Sequence, residues 1–155
     1  MATSVVRFLN VILAALLAGT SFGIWMGFNP MNFSISTYVE QQQHLLHALN
    51  TLMTCLVVLA TLVTLASAFL QRKNKPVFVA LLAAGVFFVA CIIISRFGSQ
   101  PLQNDMLVWK VGTAPRDWTS YRDKWWTFHI TRTIAELIAL SLVTLASIKR
   151  GNSAA

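Results

Sequence analysis

The sequence predicts an all-α protein, an antiparallel bundle of four transmembrane helices forming one domain over residues 1–155. Three observations carry this. Hydrophobic residues make up 56% of the chain and charged residues only 11%, where a soluble domain carries about 25% charged residues. The apolar residues gather into four long runs. Each run has the roughly 18–25 residues that a helix rising about 1.5 Å per residue needs to cross about 30 Å of hydrocarbon.

The first run, Val5–Phe28, predicts a helix over 5–28. Arg7 and the small residues Ala18-Gly19-Thr20-Ser21 have the look of a signal peptide, but the apolar stretch continues through Met26. That exceeds a typical signal core of about 7–15 residues, so a retained helix is expected. Asn29-Pro30 ends it, because proline disfavours helix in the residue before it. The second run, Leu45–Leu70, predicts a helix over 44–71. The polar turn Gln71-Arg72-Lys73-Asn74-Lys75-Pro76 separates it from the third, Val77–Ile94, expected over 76–97. Pro76 suits a first helical turn, where its missing N–H costs nothing. Gly98 to about Ser120 reads as a long loop before the fourth run, Ile130–Ile148, within a helix expected over 119–149.

Charge sets the expected orientation. Arg7, Arg72, Lys73, Lys75, Lys149 and Arg150 fall on one side with no acidic residue among them. On the other, Lys110, Arg116, Arg122 and Lys124 are offset by Asp105, Asp117 and Asp123. The positive-inside rule puts both termini in the cytoplasm and the long loop outside. An integral position in a bacterial inner membrane, the plasma membrane, is expected. The net charge of +7 sits in short groups between apolar runs. Membrane lipid is therefore the expected partner, and nucleic acid is not. Cys55 and Cys91 lie in apolar runs without metal or disulfide spacing, as small buried hydrophobes do.

Ala15, Gly19, Gly23 and Gly27 recur every four residues in the first helix. Such a stripe lets a second backbone approach closely. The expected packing is within one chain, with a homo-oligomer as the other use of the stripe. Weaker versions are Ala60, Thr64 and Ala68 in helix two, and Ala80 and Ala84 in helix three. No internal repeat suggests an inverted-repeat transporter, and no polar face runs the full length of a helix as a channel would need.

Ionisable residues at membrane depth are expensive and usually functional. Glu40, His44 and His47 share one helical face near the start of helix two, and His129, Arg132 and Glu136 share one near the start of the last helix. Both helices begin on the same side, so the two faces are expected side by side in one polar pocket. Three readings stay open. His44, His47 and Glu40 with His129 have the chemistry to ligate copper, iron or zinc, although no HExxH motif is present. A metal-free pocket would do acid/base work through a histidine. Alternatively the groups satisfy one another or cap helices at the interface. Trp109, Trp118, Tyr121, Trp125 and Trp126 crowd the approach to the last helix. They read as an interfacial belt or as a lid whose rings stack on a flat substrate.

The run Asn104-Asp105-Met106-Leu107-Val108-Trp109, then Pro115-Arg116-Asp117-Trp118, then Arg122, Trp125, His129 and Arg132-Thr133 resembles the anthrone oxygenase-like family of small four-helix membrane proteins. That family tends to place a Gln and a polar partner in helix two, for which Gln41, Gln42 or Gln43 with His44 or His47 are candidates. The resemblance implies a membrane-bound oxygenase acting on a small apolar or aromatic substrate. It implies substrate contacts from Asn104, Trp109, Trp118 and Trp125. Base catalysis would fall to His129 and anion stabilisation to Arg132, with Glu136 beside them. No Rossmann fingerprint, P-loop or CxxCH haem attachment is visible, which fits either no cofactor or a small transition-metal site. The alternative from another class is a non-catalytic membrane binding module or accessory subunit.

Overall fold

Apolar segments in a bilayer must satisfy every backbone N–H and C=O internally, and a helix does so without a partner. In a computed structural model, which describes residues 2–149, the four runs form helices long and apolar enough to cross a membrane. Arg150, one of the cations used above for orientation, lies outside the described residues.

Helix α1 covers Ala2–Gly27. A short 3-10 turn, Pro30–Asn32, follows, with the Asn29 side chain accepting from the Met31 N–H at 3.2 Å. Helix α2 covers Ile35–Leu70 and is capped by Ser34, whose hydroxyl accepts from the Thr37 N–H. It therefore starts well before the expected residue 44. The cap satisfies the first turn, and Tyr38, Val39 and Gln42 already give that turn a buried face.

Helix α3 covers Lys75–Ile93, a π-helical turn covers Ile94–Ser99, and helix α4 covers Gln100–Leu107. Residues 98–107, expected in a loop, thus continue the helical column, and the connection proper is residues 108–117. Pro101 accounts for the π turn. It has no N–H to offer, and its ring crowds the carbonyl four residues back. The turn widens by one residue, and the Gln100 N–H bonds to Ser95 O five residues earlier. Helix α5 covers Trp118–Ile148.

The membrane helices form a square in which α1 and α3 each touch both α2 and α5. Helices α2 and α5, expected side by side, sit on the diagonal instead and face each other across the interior. Leu17, Val57, Leu81, Phe88 and Val143 fill the core, and the fully buried Ala60, Ala84 and Ala139 let the helices close in. Close approach matters here because lipid is as apolar as the helix surface. The outer face is apolar too, with Phe8, Leu62, Val86 and Ile134 exposed, a surface that soluble proteins seldom show so continuously.

The glycine stripe of α1 does not pack within the chain. Ala15, Gly19, Gly23 and Gly27 are all exposed, and a Cβ on any of the three glycines would meet nothing within 4 Å. Helix α1 turns Ala14, Leu17, Ala18 and Ser21 inward instead. The larger Leu17 fills the centre, where a glycine would leave a void. Polar ties hold the end near the Arg72–Lys75 turn. Thr64 Oγ1 donates to Asn10 Oδ1 at 2.7 Å, and Arg7 Nε donates to Gln71 Oε1 at 2.6 Å.

Candidate active site

Helix α5 carries Trp125, His129, Arg132 and Glu136 on its inner face at helical spacing, and Trp125, His129 and Glu136 are almost wholly buried. The His129 ring stacks on Trp125 and Trp126 at centroid distances of 5.3 and 5.5 Å. His129 Nε2 lies 3.1 Å from the Ser21 carbonyl oxygen of α1, which can only accept, so Nε2 carries the hydrogen. Nδ1 then faces Arg132 Nη2 at 3.4 Å as the acceptor. The second shoulder of the guanidinium reaches α3's extension, where Nη1 donates to Ser95 Oγ at 3.1 Å. Arg132 Nε stands 3.4 Å from Glu136 Oε1, close enough for an ion pair. Among the described residues, neither oxygen of Glu136 has a hydrogen-bond partner, nor has Ser21 Oγ.

These groups line two adjoining spaces. The larger has a cavity volume of about 110 Å³ and runs between α2 and the π turn. Leu17, Met53, Val57 and Ile92 form its apolar part; Asn50, Ser95, Ser99 and Gln103 supply polar groups, with Arg132 and Glu136 also on its wall. Thr54, Val58 and Arg96 line it as well and are exposed, which puts its mouth on the flank of the bundle. The smaller space is lined by Ile24, Leu46, Trp125 and His129 and shares Asn50, Met53, Gln103 and Arg132 with the larger. Arg132 is the hinge between them. Mainly apolar walls with a few convergent polar groups are what small-molecule sites offer.

Several expected site residues sit elsewhere. Glu40, His44 and His47 are exposed on the outer face of α2, and among the described residues no group of three His, Cys, Asp or Glu is placed to hold a metal. The expected ligand set is corrected on that ground. The inner face of α2 is taken by Tyr38, Gln42 and Leu46, and Glu40, His44 and His47 fall on the opposite side. Asn104 is exposed on α4, and its neighbour Gln103 turns to the cleft instead. Trp109 packs edge-on to Tyr121 at 5.3 Å, and Trp118 lies 5.5 Å from Tyr38. The two form an aromatic cap at the end of the bundle, and only Trp125 of the expected rings reaches the clefts. Of the three candidate glutamines, Gln42 is buried, and among the described residues both its amide atoms are unpartnered. Gln43 Nε2 sits within 3.3 Å of the Met106, Leu107 and Trp109 carbonyl oxygens, and Gln41 is exposed.

The fold and site together define a four-helix membrane protein with a charged cleft buried among apolar helices. Residues 43–142 match the family model described as anthrone oxygenase, and the chain belongs to that family. No curated protein and no solved structure matches the chain. The matched segment carries His129, Arg132, Glu136 and Ser95, whereas Ser21 on α1 lies before it.

Proposed function

We propose that the protein is a membrane-embedded oxygenase that oxidises a flat ring ketone entering from the bilayer. The single observation that supports this best is Glu136, a carboxylate buried at 1% exposure, without a hydrogen bond among the described residues, beside Arg132 on the wall of a cleft open on the bundle's flank. An anthrone has a methylene between two rings, opposite a ketone. Removing one methylene proton gives an electron-rich enolate. A general base and a nearby cation both lower that barrier.

Glu136 takes the base role in this reading, because the Nδ1 lone pair of His129 already faces Arg132. Arg132 holds the enolate oxygen, and His129 with Ser95 holds Arg132. Dioxygen then adds at the former methylene carbon, and water leaves. The balance is one methylene plus O₂ to one carbonyl plus H₂O. Positive-inside orientation would place the cleft in the outer half of the bilayer.

The test is oxygen uptake by detergent-purified protein with 1,8-dihydroxyanthrone, followed with quinone formation. Turnover above the uncatalysed background is expected, with a loss of at least 100-fold in Glu136→Gln and Arg132→Gln. Equal rates in the variants and the parent protein would remove the proposed site. The outward stripe of α1 supports a second reading, an accessory subunit seated on a partner. A stoichiometric partner in native mass spectrometry, with no turnover, would favour it.

A further inference from the structure

We infer that Arg96 is a specificity-determining residue, which receives an ionised carboxylate on the substrate at the mouth of the cleft. This deepens the oxygenase reading and rests on it.

Arg96 follows the apolar run Val77–Ile94, within the helical column Lys75–Leu107. It is exposed and makes no ion pair among the described residues, where the ion pairs are Arg122 with Asp123 and Arg132 with Glu136. It belongs to the π turn and lines the same cleft as Arg132. The adjacent Ser95 accepts from Arg132 Nη1, so one turn of backbone presents one arginine at the mouth and anchors the other inside. Between the two lies the cleft's wall, apolar at Met53, Val57 and Ile92 and polar at Ser99 and Gln103.

Among the described residues the inner cation has a carboxylate partner and the outer one has none. A ligand that bridges them therefore brings an enolisable oxygen to Arg132 and its own fixed anion to Arg96. A guanidinium pairs with a carboxylate in a bidentate fork, which fixes orientation as well as affinity. A ring system carrying a carboxylate on the side away from its reacting methylene meets both requirements. An oxyanion at Arg96 could also come from a phospholipid phosphate, since the mouth faces the bilayer, and the experiment separates the two.

Binding is measured on the full chain in phosphatidylcholine nanodiscs with two unreactive probes, anthraquinone-2-carboxylate and anthraquinone-2-carboxamide, by tryptophan fluorescence and calorimetry. The acid is expected to bind at least 10-fold more tightly than the amide. Arg96→Gln should abolish that ratio while leaving amide binding unchanged, and Arg96→Lys should keep part of it. Equal affinity for both probes, no binding of either, or an equal loss of both in Arg96→Gln overturns the assignment. So does a ratio unchanged in Arg96→Gln while that variant loses a stabilisation by phosphatidylglycerol seen in the parent protein, because Arg96 then serves lipid. The probes do not turn over, so a failed oxygen-uptake assay leaves this result standing on its own.

Discussion

Arg132 Nη1 and Ser95 Oγ lie 3.1 Å apart, and this bond ties the last membrane helix to the π turn beside the cleft. The turn exists because Pro101 interrupts the hydrogen-bond ladder, so a backbone defect aims the hydroxyl that steers the arginine. Ser95→Ala should lower turnover by about 10-fold or more, and its effect should fall on kcat more than on KM. A hydrogen bond to a charged group contributes about 1.5–3 kcal/mol. Ser95→Thr, which keeps the hydroxyl, should restore most of the rate. A variant that is destabilised with an unchanged rate per folded molecule would show that Ser95 only supports the fold.

The Arg132–Glu136 pair separates stability from chemistry. Removing one partner of a buried pair strands the other charge, at a cost of about 3–5 kcal/mol, whereas replacing both by apolar groups is often neutral. Arg132→Ala should therefore lower the thermal midpoint in detergent sharply. Arg132→Met with Glu136→Leu should recover most of it and still show no oxygen uptake. Circular dichroism melts of the three proteins check this. A double variant as unstable as the single one would mean the pair is held by something other than mutual charge.

Glycine substitutions should divide by position. A Cβ on Gly98 would stand 3.0 Å from Phe128 Cε1 and 3.1 Å from two more atoms of the ring, so the half-buried ring must shift by a few tenths of an ångström. Overpacking of this kind costs about 1–3 kcal/mol, so Gly98→Ala should melt earlier, and adding Phe128→Leu should relieve it. Gly19→Ala and Gly23→Ala meet nothing within 4 Å, and alanine is the better helix former. Those two should melt at the parent temperature or above. If they melt lower and lose mass by light scattering, a second copy covers that face.

The four spans are readable in the sequence because a bilayer demands long apolar runs and little else. The shared face of Trp125, His129, Arg132 and Glu136 is readable too, since their spacing puts them on one side of an apolar helix. The rest required three dimensions. Glu40, His44 and His47 share a helical face as cleanly as the α5 set does, and the spacing alone cannot say which way α2 is turned. Ser34 and the buried Tyr38 and Gln42 decide that. Ser95, Ser99 and Gln103 recur every four residues across Gly98, a signal of continuing helix that the polar composition after residue 97 obscures. The glycine stripe misleads for a related reason. Small residues mark where a backbone could approach, and on α1 that side is turned away from the chain.

Gln43 offers the last prediction. A helix C-terminus leaves carbonyl oxygens short of N–H partners, and at the end of α4 the two N–H groups of the Gln43 amide are shared among three of them, of which Met106 O also accepts from the Trp109 N–H. Gln43 Nε2 sits 3.0, 3.3 and 2.8 Å from the oxygens of Met106, Leu107 and Trp109, so α2 fastens the start of the connection to α5. Gln43→Ala should free that segment without unfolding the bundle. Faster amide exchange and proteolysis within residues 108–117 are expected, with a fall of only a few degrees in melting temperature. Gln43→Glu should be worse than alanine, because an ionised carboxylate would face carbonyl oxygens with no proton to donate. Exchange rates unchanged in both variants would mean that the aromatic cap of Tyr38, Trp109 and Tyr121 holds the segment without the amide.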